Sequence, residues 1–252
     1  MQKLILLTGG SGKVGRVLVR HFLEKGYAVA TNARSEASVA SLAEEFQPFR
    51  ARFFGFKADL VEEDGPAQLA QKLAEQNLHP FGLINNARSV EYLKTGQTGR
   101  VSRTNFMSEF ALDVVAPYEL TMELAEQSGS LLKKVINVGS MYGSVAANPR
   151  LYDDPVRQSP IQYGVCKAAL SHLTKELAVR LAAKNIQVNC VAFGGIEGRA
   201  DPAFLARYAA LNPMGRMLQE NEVAGPIEAL LSDGFSAMTG HTMAVDGGWG
   251  IW

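Results

Sequence analysis

The sequence predicts an α/β domain: a doubly wound parallel sheet of about seven strands with helices on both faces. Two observations predict it. Short β-rich runs alternate with longer amphipathic stretches from one end of the 252 residues to the other, and no repeat, low-complexity tract or linker breaks the alternation. A chain of this length fits one such domain around a single core, so 1–252 reads as one unit. Strands are expected at 3–7, 28–32, 53–57, 82–85, 134–138, 187–192 and 241–245. Helices are expected at 14–25, 36–45, 66–76, 109–126, 163–183 and 221–231.

The first strand, Leu4-Ile5-Leu6-Leu7, runs straight into Thr8-Gly9-Gly10 and is too short for a signal peptide or membrane span. The turn that follows, Thr8-Gly9-Gly10-Ser11-Gly12-Lys13-Val14-Gly15, opens a helix whose apolar face includes Val14, Val17, Leu18 and Phe22. Glycines there allow a tight turn, close approach of a pyrophosphate to backbone N–H groups, and close helix–strand packing. The helix N-terminus adds a partial positive charge. Placement between the first strand and first helix favours a dinucleotide-binding turn over an ordinary strand–helix turn. Gly9, Ser11, Gly12, Lys13, Val14 and Gly15 are its candidate contacts.

The second strand ends Ala30-Thr31-Asn32-Ala33-Arg34-Ser35. An NAD site usually places an acid there for the ribose 2′-hydroxyl, whereas a 2′-phosphate wants a cation. The acid is absent and Arg34 is present, so NADP(H) is the preferred cofactor and NAD(H) the alternative; the competing reading is a merely solvated Arg34.

The helix expected from 163 begins Tyr163-Gly164-Val165-Cys166-Lys167, which puts a phenol and an ammonium on one face. A phenol of ordinary pKa is a poor acid–base catalyst at neutral pH, and a fixed cation nearby favours its ionised form. Such a pair occurs often by chance. The fifth strand changes the odds, because it leads into Ser140 at its carboxyl end, where open α/β sheets bind ligands. Ser140 could hydrogen-bond a substrate carbonyl while Tyr163 passes the proton.

With these residues the chain resembles the short-chain dehydrogenase/reductases, a family with a Rossmann-type fold, over essentially its whole length. The resemblance is carried by the glycine turn, Asp59-Leu60, Asn85-Asn86-Ala87, Ser140, Tyr163 with Lys167, Asn189-Cys190-Val191 and Asp246-Gly247-Gly248-Trp249. It implies that Asp59, with Leu60 beside it, contacts adenine, that Asn86 and Ala87 line the cofactor's ribose side, and that Lys167 also holds the nicotinamide ribose. Gly194 and Ile196 follow the sixth strand on the nicotinamide side.

Four positions depart from the family pattern. Lys13 stands where the compact branch has its middle glycine, and the Gly9, Gly12, Gly15 spacing is similar to that of larger, sugar-nucleotide-handling relatives. Asp113 stands in place of the usual asparagine, where the family relays protons through a held water. Arg88 follows Asn86-Ala87 in place of glycine and could grip a phosphate or carboxylate on the substrate. Phe193-Gly194-Gly195 replaces the usual Pro-Gly.

Two irregular stretches, 143–161 and 194–219, are expected to recognise substrate, since long loops in a compact domain are usually lids or binding loops. The Gly139-Ser140-Met141-Tyr142-Gly143 opening and the insertion after it resemble oxidoreductases of flagellin-modification and related sugar pathways. Tyr142, Asp153, Asp154 and Arg88 would suit hydroxyl-rich, phosphorylated or nucleotide-linked sugars. A 3-oxoacyl carrier-protein reductase, a pteridine reductase and a non-catalytic nucleotide-binding scaffold remain as alternatives.

The rest of the composition bounds partners. With 25 Lys+Arg against 25 Asp+Glu the formal net charge is zero, so no basic field invites nucleic acid or a membrane. Cys166 and Cys190 read as small buried hydrophobes, and the four histidines lack ligand spacing, so no metal is expected. The protein is expected in the cytoplasm. The apolar end with Trp249, Ile251 and Trp252 reads as an exposed interface, and the resemblance implies a homodimer or homotetramer.

Overall fold

The structure is a computed structural model describing residues 2–198 and 200–251. Seven strands form one sheet: β1 (Leu4–Leu7), β2 (Ala28–Ala33), β3 (Phe53–Lys57), β4 (Gly82–Asn85), β5 (Lys134–Ser140), β6 (Gln187–Phe193) and β7 (Thr242–Val245). All pairings are parallel, in the order β3-β2-β1-β4-β5-β6-β7. The order reverses between β1 and β4, and that switch point is where such sheets open a crevice beyond their carboxyl ends.

The helices are α1 (Lys13–Glu24), α2 (Glu36–Glu45), α3 (Gly65–Glu75), α4 (Arg103–Phe110), α5 (Ala116–Glu126), α6 (Pro155–Gln158), α7 (Ile161–Arg180), α8 (Pro202–Leu211) and α9 (Ala224–Leu231). Side chains alternate along a strand, so Leu4 and Leu6 enter a core with Leu69, Leu120 and Leu177, on the side of α3, α5 and α7. Ile5 and Leu7 enter the opposite core with Leu18, Leu42 and Ile227, on the side of α1, α2 and α9.

The single helix expected over 109–126 is two helices separated by a π-turn, Ala111–Val115. Pro117 has no N–H for the carbonyl of Asp113, and its ring would press on that carbonyl in a regular α-helix, so the wider turn absorbs the mismatch. The stretch 194–219 is not wholly irregular either. Asp201 caps the backbone N–H of Phe204 and Pro202 opens α8, a start signal that the surrounding Gly, Pro and Met residues obscured.

The reading of Trp249 as an exposed interface residue is corrected. Trp249 is buried and stacks on Tyr208, ring centroids 4.6 Å apart, in a small cluster with Met141 and Leu151 that fastens the irregular loops to the sheet. Ile251 is exposed, and Trp252 lies outside the described residues. Cys166 and Cys190 are buried and unpaired, as expected. No helix among the described residues is long and apolar enough to cross a membrane, and no group of three His, Cys, Asp or Glu is placed to hold a metal.

Candidate active site

The glycine turn is held from below by side chains of its neighbours. Gly9 N–H donates to Asn32 Oδ1 (3.0 Å), and Asn32 Nδ2 donates to the Ala58 carbonyl. Gly10 N–H donates to Thr31 Oγ1 (3.0 Å), which is anchored on the Leu7 carbonyl. Gly9 has a φ of +72°, and a Cβ there would lie 2.7 Å from Ala87 Cα. A Cβ on Gly15 would run into the Gly9 carbonyl oxygen. Across the crevice, Thr8 Oγ1 accepts from the N–H groups of both Asn86 and Ala87, and Asn86 Nδ2 donates to the Thr8 carbonyl. Thr8, Thr31 and Asn32 thus set the turn's geometry. Sequence reasoning singled out none of them, because Thr31 and Asn32 read as ordinary strand residues and Thr8 as the plain start of the turn.

One cavity of about 670 Å³ runs along the carboxyl ends of the strands. Gly9, Ser11, Gly12, Lys13, Val14, Gly15, Arg34, Asp59, Leu60, Asn86, Ala87, Ser140, Tyr163, Lys167, Gly194 and Ile196 all line it. The structure therefore brings together every expected catalytic and cofactor contact except Asp113, which lies behind Lys167 on a separate small cavity shared with Thr8 and Asn85. The donor set fits a dinucleotide: a crowded backbone turn with no room for Cβ atoms, a helix N-terminus at Lys13, and a cation at the end of β2.

Two of the expected contacts already have protein partners. Lys13 Nζ donates to the Glu197 carbonyl (2.5 Å) and pairs with Glu220 (2.7 Å). Arg34 pairs with Glu91 at 3.2 Å, and that hydrogen bond leads the causes that hold the guanidinium above its ordinary range. Glu91 also lines the cavity and was not foreseen.

At the other end, β5 carries Ser140 as its last residue, and the hydroxyl oxygen accepts from Tyr142 N–H (3.2 Å). Tyr163 sits in the first turn of α7, one turn before Lys167. Lys167 is buried, donates to the Val138 carbonyl (3.0 Å) and lies 3.1 Å from Asp113 Oδ2. Burial alone would lower its pKa; the negative charge of Asp113, joined by Tyr163, outweighs that and raises it, so the ammonium form is held. Its Nζ is 5.7 Å from the Tyr163 ring centroid. Neither the Ser140 nor the Tyr163 hydroxyl donates to a protein acceptor among the described residues, which leaves both protons for a ligand in the cavity.

Glu109 was not foreseen either. It is fully buried on α4 with both carboxyl oxygens unpartnered, and burial first, then the charge of Asp113, push its pKa up to about 7. A charged residue on a helix reads as solvated, so nothing in the sequence marked it.

The expected substrate contacts divide. Tyr142 and Arg88 line the cavity, and the Tyr142 hydroxyl is 2.8 Å from that of Tyr152. Asp153 and Asp154 do not line it: Asp153 pairs with Arg207, and Asp154 caps α6 and binds the Arg157 side chain. Of the scattered histidines, His21 pairs with Glu228 and His172 lies 3.4 Å from Glu176.

A sequence profile described as enoyl-(acyl carrier protein) reductase matches residues 11–250. The chain is 26% identical to the post-translational flagellin modification protein A of Campylobacter coli, over 99% of this chain and 98% of the relative. It is 30% identical to a rhamnolipids biosynthesis 3-oxoacyl-[acyl-carrier-protein] reductase of Pseudomonas aeruginosa, over 98% and 95%. Among solved structures, a short-chain dehydrogenase from Leptospira borgpetersenii with bound NAD+ superposes with a TM-score of 0.85 at 28% identity, covering 99% of this chain and 93% of that one. The Pseudomonas aeruginosa RhlG/NADP complex gives 0.84 at 27%, covering 98% and 96%. The chain belongs to the short-chain dehydrogenase/reductase family, and it is an NAD(P)-dependent oxidoreductase of the Rossmann type.

Proposed function

We propose that the protein interconverts a secondary alcohol and a ketone with NADP(H) as the preferred cofactor, and that Ser140, Tyr163 and Lys167 carry the chemistry. The observation that carries this reading is two uncommitted hydroxyls on one cavity wall, with a buried, charge-stabilised ammonium beside the phenol. The bound dinucleotide supplies or accepts the hydride. Ser140 donates a hydrogen bond to the carbonyl oxygen, and Tyr163 gives that oxygen a proton as it becomes an alkoxide. Lys167 stabilises the phenolate left behind, and Asp113 positions Lys167. In the oxidative direction the alcohol's proton returns to the Tyr163 phenolate.

The preference for NADP(H) rests on Arg34 at the end of β2 with no acid in the β2 position that would hold a 2′-hydroxyl. For the substrate we favour a sugar or nucleotide-linked sugar, supported by the flagellin-modification relative and by Tyr142 and Arg88 in the wall. The 30% identity to a 3-oxoacyl carrier-protein reductase supports a second reading, on a 3-oxoacyl chain. The exposed apolar residues Met107, Val115 and Tyr118 on α4, the π-turn and α5, with Ile161 and Val165 on α7, support pairing into a homodimer or homotetramer, which sedimentation reads directly. Free buried cysteines accord with a cytoplasmic setting.

Tyr163→Phe tests the mechanism. Turnover of a keto-sugar panel should fall by ~10²–10⁴-fold, the range for losing a positioned acid, while NADPH titrated by fluorescence still binds and outcompetes NADH. Undiminished turnover in the variant removes Tyr163 from the chemistry.

A further inference from the structure

We propose that Arg88 is the anchor for an oxyanion, a carboxylate or a phosphate, carried by the substrate close to its reacting carbonyl. The inference rests on Tyr163 as the proton donor and narrows the substrate class of that same site.

Four cations line the main cavity: Lys13, Arg34, Arg88 and Lys167. Lys13 is paired with Glu220, Arg34 with Glu91 and Lys167 with Asp113. Arg88 alone has no acidic partner among the described residues, although its field reaches the buried Glu109. A guanidinium left without an anion on a cavity wall is a vacant receptor for one, because it presents a planar fork of donors matched to carboxylate and phosphate.

Its placement says which anion. The guanidinium carbon lies 5.0 Å from the centroid of the Tyr163 ring, so the cation stacks on the side chain that delivers the proton. This contact holds the guanidinium beside the phenol, and none of its N–H groups has an acceptor among the described residues. The anionic groups of a dinucleotide have other receptors: the glycine turn and the start of α1 for the pyrophosphate, Arg34 for a 2′-phosphate. The oxyanion that meets Arg88 therefore belongs to the molecule whose carbonyl faces Ser140 and Tyr163. Oxo acids and phosphorylated keto-sugars have this form.

The test uses two matched probe pairs, acetoacetate with ethyl acetoacetate and dihydroxyacetone phosphate with dihydroxyacetone. Binding is measured by calorimetry on NADPH-saturated protein carrying Tyr163→Phe, which keeps the ring that Arg88 stacks on. In at least one pair the anion should bind ~10-fold or more tighter than its neutral partner, as a charge-assisted fork provides, and the winning pair tells carboxylate from phosphate. Arg88→Ala should bring that ratio to about one, and Arg88→Lys should keep part of it. No preference for the anion in either pair overturns the proposal, as does a preference that survives Arg88→Ala. A parallel loss of NADPH affinity in Arg88→Ala would assign the residue to the cofactor instead. Failure of the Tyr163 reading shows separately, as turnover by the Tyr163→Phe protein.

Discussion

The two ends of the cavity are built differently. At the glycine-turn end, backbone groups face the ligand and every supporting side chain is committed: Thr8 to the Asn86 and Ala87 N–H groups, Thr31 to Gly10 and Leu7, Asn32 to Gly9 and Ala58. At the Ser140 end, side chains face the ligand, two hydroxyl protons and one guanidinium lack protein acceptors, and the wall is backed by an aromatic cluster of Tyr208 from α8 with Tyr152 and Trp249 from the loops. The first end reads a group that does not vary, so it is locked. The second reads whatever the family member acts on, and its free valences are where recognition is left to be made.

Breaking the locked end should have the largest effect. A Cβ on Gly15 meets backbone, the Gly9 carbonyl and Gly10 Cα, which cannot rotate aside. Gly15→Ala must push α1 away from the turn, at a cost of about 1–3 kcal/mol for overpacking, and NADPH affinity should fall at least ~10-fold. Gly198→Ala, outside the residues that line the cavity, supplies the contrast: its Cβ meets only the flexible tip of the Lys13 side chain, and affinity should change far less. Equal effects in the two variants would erase the contrast.

Beneath the substrate end lies the buried acid Glu109, which sharpens the comparison in another way. Folding lifts its pKa from 4.5 to about 7, chiefly by burial. Between those values the folded protein keeps a proton that the unfolded chain has released, so stability declines as pH rises through this window and levels off above it. The total is on the order of 3 kcal/mol. Glu109→Gln carries no titrating proton and should flatten that decline in urea denaturation between pH 5 and pH 8. An identical pH dependence in the variant would show that Glu109 is already ionised in the fold.

The legibility of the molecule follows the same division. β3, β4 and α2 stand within the residues the pattern predicted, because buried parallel strands and amphipathic helices write their environment into hydrophobic spacing. The residues at the strand ends were legible by motif, and the structure gathers them on one wall. What the sequence concealed depends on three-dimensional crowding. The π-turn at Asp113 follows from Pro117 meeting a helix that would otherwise continue, the burial of Trp249 depends on Tyr208 arriving from α8, and Glu109 looks like any surface acid.

The smallest effect is expected where the locked end meets solvent. Arg34 and Glu91 are both about half exposed, so their ion pair contributes little to stability. Its consequence is for selectivity, because a carboxylate 3.2 Å from the guanidinium competes with any 2′-phosphate that approaches it. Glu91→Gln should therefore raise the NADPH-to-NADH affinity ratio by ~2–5-fold, the size of one screened charge contact, by tightening NADPH while NADH stays where it was. Arg34→Ala should lower the same ratio below its wild-type value. If parallel fluorescence titrations show the ratio unmoved by both substitutions, Arg34 is a solvated residue and the discrimination, if any, is made elsewhere on the wall. If Glu91→Gln instead weakens NADH alone, the carboxylate is itself holding the ribose hydroxyls, and the protein carries an acid for that purpose on the far side of the crevice from β2.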